Sequence, residues 1–167
     1  EDVTITAPTV ITNYLSTDIG GATPGSTTDL GNGHQLVVSG ADIWGTSDQF
    51  RFAHESVTGD FDIVRQVESL TQADLYTKAG LMARESVSAD SRHMFAMVFP
   101  SNAARNNNVG GYEFQSRDVT GGISTAIYPP LPQPLVHYPN TWLRLKREGN
   151  TFTAYSGTDG VTWSIFA

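Results

Sequence analysis

The sequence predicts an all-β fold, an antiparallel β-sandwich, on three observations. Short runs of β-branched and aromatic residues alternate with polar residues at every second position. Gly, Asn, Asp and Ser cluster between those runs at hairpin spacing. No stretch holds a 3.6-residue apolar period for three turns, so long helices are not expected.

Each element follows from these signals in turn. Val3-Thr4-Ile5-Thr6-Ala7 alternates ahead of Pro8 and reads as a strand. Residues 19–32, rich in Gly, Thr and Pro, read as a surface loop, and residues 35–38 as a β-branched strand. Phe50 and Phe52 share a face with Gln49, Arg51 and Ala53 opposite. Phe61, Ile63 and Val67 share another, from which Asp62 and Gln66 point away. Residues 78–85 and 93–99 are further strands, and the second, HMFAMVF, is apolar enough to be buried on both faces. Residues 111–115 follow. Residues 142–147 set Leu143 and Leu145 against Arg144 and Lys146, and residues 152–155 and 161–166 close the series. Glu148-Gly149-Asn150 and residues 156–160 supply hairpin turns, and Asn106-Asn107-Asn108 marks a loop. The run from Tyr128 to Leu135 holds four prolines, which cannot feed a sheet interior, so it is a loop or an edge cover.

Composition bounds the function. A chain of 167 residues suits one domain with a real core. A net charge of −7 and scattered Lys and Arg argue against nucleic-acid binding, which needs clustered cations. There is no cysteine, which excludes disulfides, zinc–thiolate sites and Cys nucleophiles. The apolar runs are too short for a helical membrane span, so no membrane insertion is expected. The start at Glu1, without Met, reads as a mature or excised product. Sparse Lys with abundant Thr, Ser, Gly and Asn points to an extracellular or cell-surface protein.

Four segments carry a family resemblance: ADIWGTSDQFRF (residues 41–52), TGDFDIV (58–64), KAGLMARES (78–86), and WLRL (142–145) with GNTFTAY (149–155) and DGVTW (159–163). Together they resemble a bacterial family of concanavalin A-like β-sandwich modules of unknown function, sometimes labelled regulation-of-enolase-like. The likeness runs from about Ser16 to Trp163. It implies a jelly-roll sandwich, a place in large secreted or surface proteins, and no catalytic role. In the family a further long strand follows the DGVTW hairpin, whereas this sequence stops at Ala167. Residues 1–12 (EDVTITAPTVIT) are an added β-like segment beside the module at 13–167. That segment is expected to fill the gap, in cis or by insertion into a neighbouring copy.

The chemical candidates weigh against catalysis. A glycosidase needs two carboxylates about 5–5.5 Å apart for retention. The glucanase signature Glu-x-Asp-x-x-Glu is absent, and Asp60 and Asp62 read as a solvated strand face. Glu85 reads as a partly buried ion pair or a turn-bonding carboxylate. His34, His54, His93 and His137 lack metal-motif spacing, and no G-x-S-x-G elbow exists. Asp18, Asp29, Asp42, Asp48 and Asp159 sit in loop-like contexts where structural calcium is conceivable, although no D-x-D-x-D-G array is present. Trp44, Trp142 and Trp163 lie inside the family segments and read as core.

The leading expectation is therefore a non-catalytic structural subunit that self-associates by strand donation. Val3, Ile5, Val10 and Ile11 would meet Trp163, Ile165 and Phe166 of another copy or of a neighbouring domain. The alternative is a carbohydrate-binding or adhesion module using Tyr112, Tyr128 and Tyr138, with a glycoside hydrolase or lyase as a minor third. No cofactor is required by any of the leading readings.

Overall fold

A computed structural model describes residues 14–105 and 110–167. The strand expected at residues 3–7, Val10, Ile11 and the Asn106–Asn108 turn lie outside the described residues. Within them every regular element is a strand: β1 (Leu15–Ile19), β2 (Ser26–Asp29), β3 (His34–Val37), β4 (Asp42–Trp44), β5 (Ser47–His54), β6 (Phe61–Val67), β7 (Ala79–Arg84), β8 (His93–Val98), β9 (Tyr112–Arg117), β10 (Thr125–Ile127), β11 (Thr141–Glu148), β12 (Thr151–Gly157) and β13 (Ser164–Ile165). All pairings are antiparallel. The strands form two four-stranded sheets, β10-β9-β8-β7 and β13-β12-β11-β6, a three-stranded sheet β1-β5-β4, and the β2-β3 ribbon. The fold is thus all-β, antiparallel and multi-sheet.

The two four-stranded sheets meet across a shared core. Ala96, Val98, Tyr112 and Phe114 come from one sheet, and Leu143, Leu145 and Ala154 from the other. Period-2 alternation sets this up. Leu143 and Leu145 are buried while their neighbours Arg144 and Lys146 reach solvent on the opposite face. Each fully buried Leu contributes about 1.5–3 kcal/mol. Gly149, at φ +60°, and Asn150 form the two-residue turn from β11 to β12, a backbone conformation that favours glycine.

The other face of β8 is covered as well. Phe95, Met97 and Phe99 pack against Ile43 of β4, with Phe50 of β5 and Met82 of β7 alongside. The apolar run HMFAMVF therefore lies between two cores, and the β4–β5 hairpin covers part of the β10-β9-β8-β7 sheet.

Three expectations need correction. Residues 19–32 are not all loop, because Ser26–Asp29 is a strand paired with His34–Val37. The ribbon exposes apolar side chains from both its faces, including Leu36 and Val37, so no buried face marks it in the sequence. Glu85 is exposed, and the buried ion pair belongs to its neighbour Arg84, whose side chain is 1 % exposed. None of the tryptophans joins either core cluster. In the three-residue β4, Ile43 takes the inward position and parity turns Trp44 out to 42 % exposure.

Candidate functional site

The most strongly organised polar feature lies where the β4–β5 hairpin covers the central sheet. Pairing His93↔Arg117 and Arg84↔His93 aligns three basic side chains on neighbouring strands. Asp48, near the start of β5, faces them. Arg117 Nη2 donates to Asp48 Oδ1 at 2.6 Å and Nη1 to Oδ2 at 2.8 Å, a two-pronged pair. Arg84 Nη1 donates to the same Oδ2 at 2.6 Å. The Arg84, Arg117 and Asp48 side chains are each no more than 1 % exposed. Backbone carbonyls take up the remaining guanidinium protons. Arg117 reaches Gly122 and Ser91, and Arg84 reaches Ser86 and Ser88.

His93 Nδ1 lies 3.6 Å from Asp48 Oδ2, too far for a hydrogen bond, and its side chain is fully buried. Burial, opposed by Asp48 and reinforced by the two arginines, pushes the imidazole pKa down to about 4. It is neutral at pH 7 and holds no proton to donate as a cation. The cluster pins the hairpin to the sheet; it presents no open face to a substrate.

The second feature is a trough of about 320 Å³ between the Pro-rich segment and the β12–β13 edge. Pro130, Leu131, Pro132 and Pro134 line one wall, and Ser156, Ile165 and the buried Phe166 the other. A neighbouring hollow of about 290 Å³ continues past Pro134 to His137, Thr158 and Tyr112. Among the described residues, β13 pairs with β12 alone, through Tyr155↔Ile165 and Ser156↔Ser164. Leu131 and Ile165 are 84 % and 63 % exposed, so large apolar side chains rim this edge.

The expected contact residues separate here. Ile165 is free at the rim. Phe166 is buried within its own chain, its ring 5.8 Å from that of Tyr112, and so is not available to a neighbour as it stands. Trp163 is half-buried on the outer face of the sheet, away from the trough wall.

The glycan candidates also divide. Tyr112 is 2 % exposed, and burial raises its phenol pKa to about 12; a ring sealed in the core offers no face to a sugar, which corrects that expectation. Tyr138 is half-buried, and its Oη donates to Phe99 O at 2.6 Å. Tyr128 alone is exposed, at 37 %, with burial and the Glu113 carboxylate raising its pKa.

The carboxylates are engaged separately. Asp60 accepts from the Gly149 amide, and Asp62 from Arg144. Of the calcium candidates, Asp18 pairs with Arg51 and Asp42 with Lys78. Asp29 and Asp159 accept backbone amides in turns, which holds the Asp159 carboxyl below its usual range. Asp48 is buried within strand β5 rather than lying in a loop. Among the described residues no group of three or more His, Asp or Glu is placed to hold a metal ion.

Sequence reasoning missed the Asp48–Arg84–Arg117 cluster. The available signal was parity: Asp48 shares a face with Phe50 and Phe52, and a carboxylate on a core face needs a cation. No family model, curated protein or solved structure matches the chain.

Proposed function

We propose that the chain is a non-catalytic structural module of an extracellular or cell-surface assembly, a concanavalin A-like jelly-roll sandwich that joins copies by strand addition. The trough beside β13 carries this reading. It lies between a two-residue edge strand and a proline-stiffened segment, with apolar side chains on both walls. Among the described residues β13 pairs with β12 alone, and a strand added to its other side would satisfy that edge through main-chain hydrogen bonds. The occupant is the segment Val3-Thr4-Ile5-Thr6-Ala7 of a second copy, whose alternating apolar residues would turn toward Ile165 and Leu131. Val10 and Ile11 would extend the contact. The separate engagement of Asp60 and Asp62, by a backbone amide and by Arg144, supports the non-catalytic part of the reading.

Sedimentation velocity over a hundredfold concentration range tests it. The full chain should form species of rising mass, and Ile5→Asp or Ile165→Asp should return it to monomer. A full chain that stays monomeric throughout, or association unchanged in both variants, would sink the proposal.

A further inference from the structure

The outer face of the β13-β12-β11-β6 sheet carries a pattern that neither core nor trough explains. Register places Trp142 beside Gly157 and Gln66, Arg144 beside Tyr155 and Val64, and Lys146 beside Thr153 and Asp62. Trp163 joins them from the turn before β13. A Cβ on Gly157 would stand 3.2 Å from the Trp163 ring, and one on Gly160 2.9 Å from the Trp142 ring. Both indoles therefore rest against bare backbone at the β12–β13 turn, which fixes their attitude at little entropic cost. Arg144 ties the strip together. Its guanidinium carbon lies 4.9 Å from the Tyr155 ring centre and 5.9 Å from that of Trp163. It also grips Asp62 through two hydrogen bonds of 2.7 and 2.5 Å.

The charge on this face cancels locally. Arg144 is paired with Asp62, and Lys146 Nζ lies 2.8 Å from Glu148 Oε1. Ile165 and Val64 stand at the two ends of the middle row, while the Tyr155 ring and the paired Arg144 occupy its centre. Centres of protein interfaces share the rings and the arginine but are depleted of Asp, Glu and Lys, all of which stand on this face at Asp62, Glu148 and Lys146.

We propose that this face is a binding platform for a neutral, extended glycan of equatorially linked pyranoses. Such sugars present flat C–H faces that stack on indole and phenol rings. Their hydroxyls lie at the edges, within the compass of Asp62, Gln66 and Arg144. A polyanion gains nothing here because both cations are already neutralised. The site is distinct from the trough: Trp142, Trp163, Tyr155, Arg144 and Asp62 do not line it, and Ile165 alone, at the end of the middle row, borders both.

Affinity electrophoresis of the full chain tests this, in gels carrying soluble β-1,4-glucan, β-1,4-xylan or chondroitin sulfate. The neutral gels should retard the chain and chondroitin sulfate should not. Trp142→Ala and Trp163→Ala should each weaken retardation at least about tenfold, Trp142→Phe by much less, and Asp62→Ala about fivefold. Circular dichroism confirms that each variant is folded, and Asp62→Ala on the exposed edge serves if an indole variant is not. The variant Ile5→Asp, aimed at strand addition, should bind glycan normally, so the two proposals fail separately. Absence of retardation in both neutral gels overturns the inference, as do equal retardation of all variants and retention on chondroitin sulfate alone. Loss of self-association in Trp142→Ala, without neutral-glycan binding by the parent chain, reassigns the face to a protein contact and also overturns it.

Discussion

Replacing Asp48 by Asn should be among the most damaging single-atom changes available in this protein. The substitution keeps shape and volume but removes the charge that two buried guanidinium groups share. Asp48 accepts three hydrogen bonds of 2.6 to 2.8 Å from Arg84 and Arg117, and all three side chains are essentially sealed from water. Breaking a buried pair by removing one partner costs about 3–5 kcal/mol, because the remaining charge is left uncompensated. Here two cations lose the same anion. Carbonyl bonds from Gly122, Ser91, Ser86 and Ser88 remain, which keeps the expected loss near that range rather than double it. For a chain of this size such a loss lowers Tm by about 6–20 °C. The assay is a urea titration followed by far-UV circular dichroism, with the thermal midpoint as a second reading. Arg84→Met in the Asp48→Asn background should recover part of the loss, since it removes one orphaned charge and keeps the stem. A loss below about 1 kcal/mol in Asp48→Asn would refute the argument that this carboxylate holds the hairpin to the sheet.

Other expectations are as direct. His93 has a folded pKa of about 4 against 6.5 for a free imidazole, so the unfolded chain takes up a proton first as pH falls. The stability it contributes is complete above pH 6.5 and declines between 6.5 and 4 by about 3 kcal/mol; His93→Phe should flatten that part of a stability–pH profile. Asp62→Asn, on a half-exposed pair, should cost less than about 1 kcal/mol by the same urea titration, although Arg144 holds its carboxyl below the usual range. Gly160→Ala should cost more than about 1 kcal/mol, because the residue sits at φ +73° with its Cβ driven against the Trp142 ring. A neutral Gly160→Ala in thermal melts would contradict that placement.

Much of the architecture was legible because side-chain parity is a local property. The alternation of Leu143 and Leu145 with Arg144 and Lys146 locates one core face, and HMFAMVF announces a strand covered twice. The same parity also fixes the orientation of Trp142. Trp142 stands in register with Arg144 and Lys146, so it faces away from the leucines. Resemblance of a segment to a family is a poorer guide to burial than that two-residue step. The Asp48 cluster was hidden for a different reason. Its members are separated by 36 and 69 positions, and only tertiary pairing of β7, β8 and β9 brings them opposite one carboxylate. The β2–β3 ribbon escaped because neither of its faces is buried, and without a burial contrast a Thr-rich strand reads as a polar loop.

The position of the three tryptophans has a spectroscopic consequence. Trp44 faces outward from the β4–β5 hairpin, Trp142 and Trp163 lie on the outer face of one sheet, and none is in a core cluster. Indole emission from the native protein should already be that of partly hydrated rings. It will therefore follow melting of the interior weakly, while tyrosine absorbance from Tyr112 and far-UV dichroism follow it well. A molecule settling on the outer sheet would cover two of the three emitters at once. The fluorescence that reports folding poorly is thus a direct optical gauge of what that face binds.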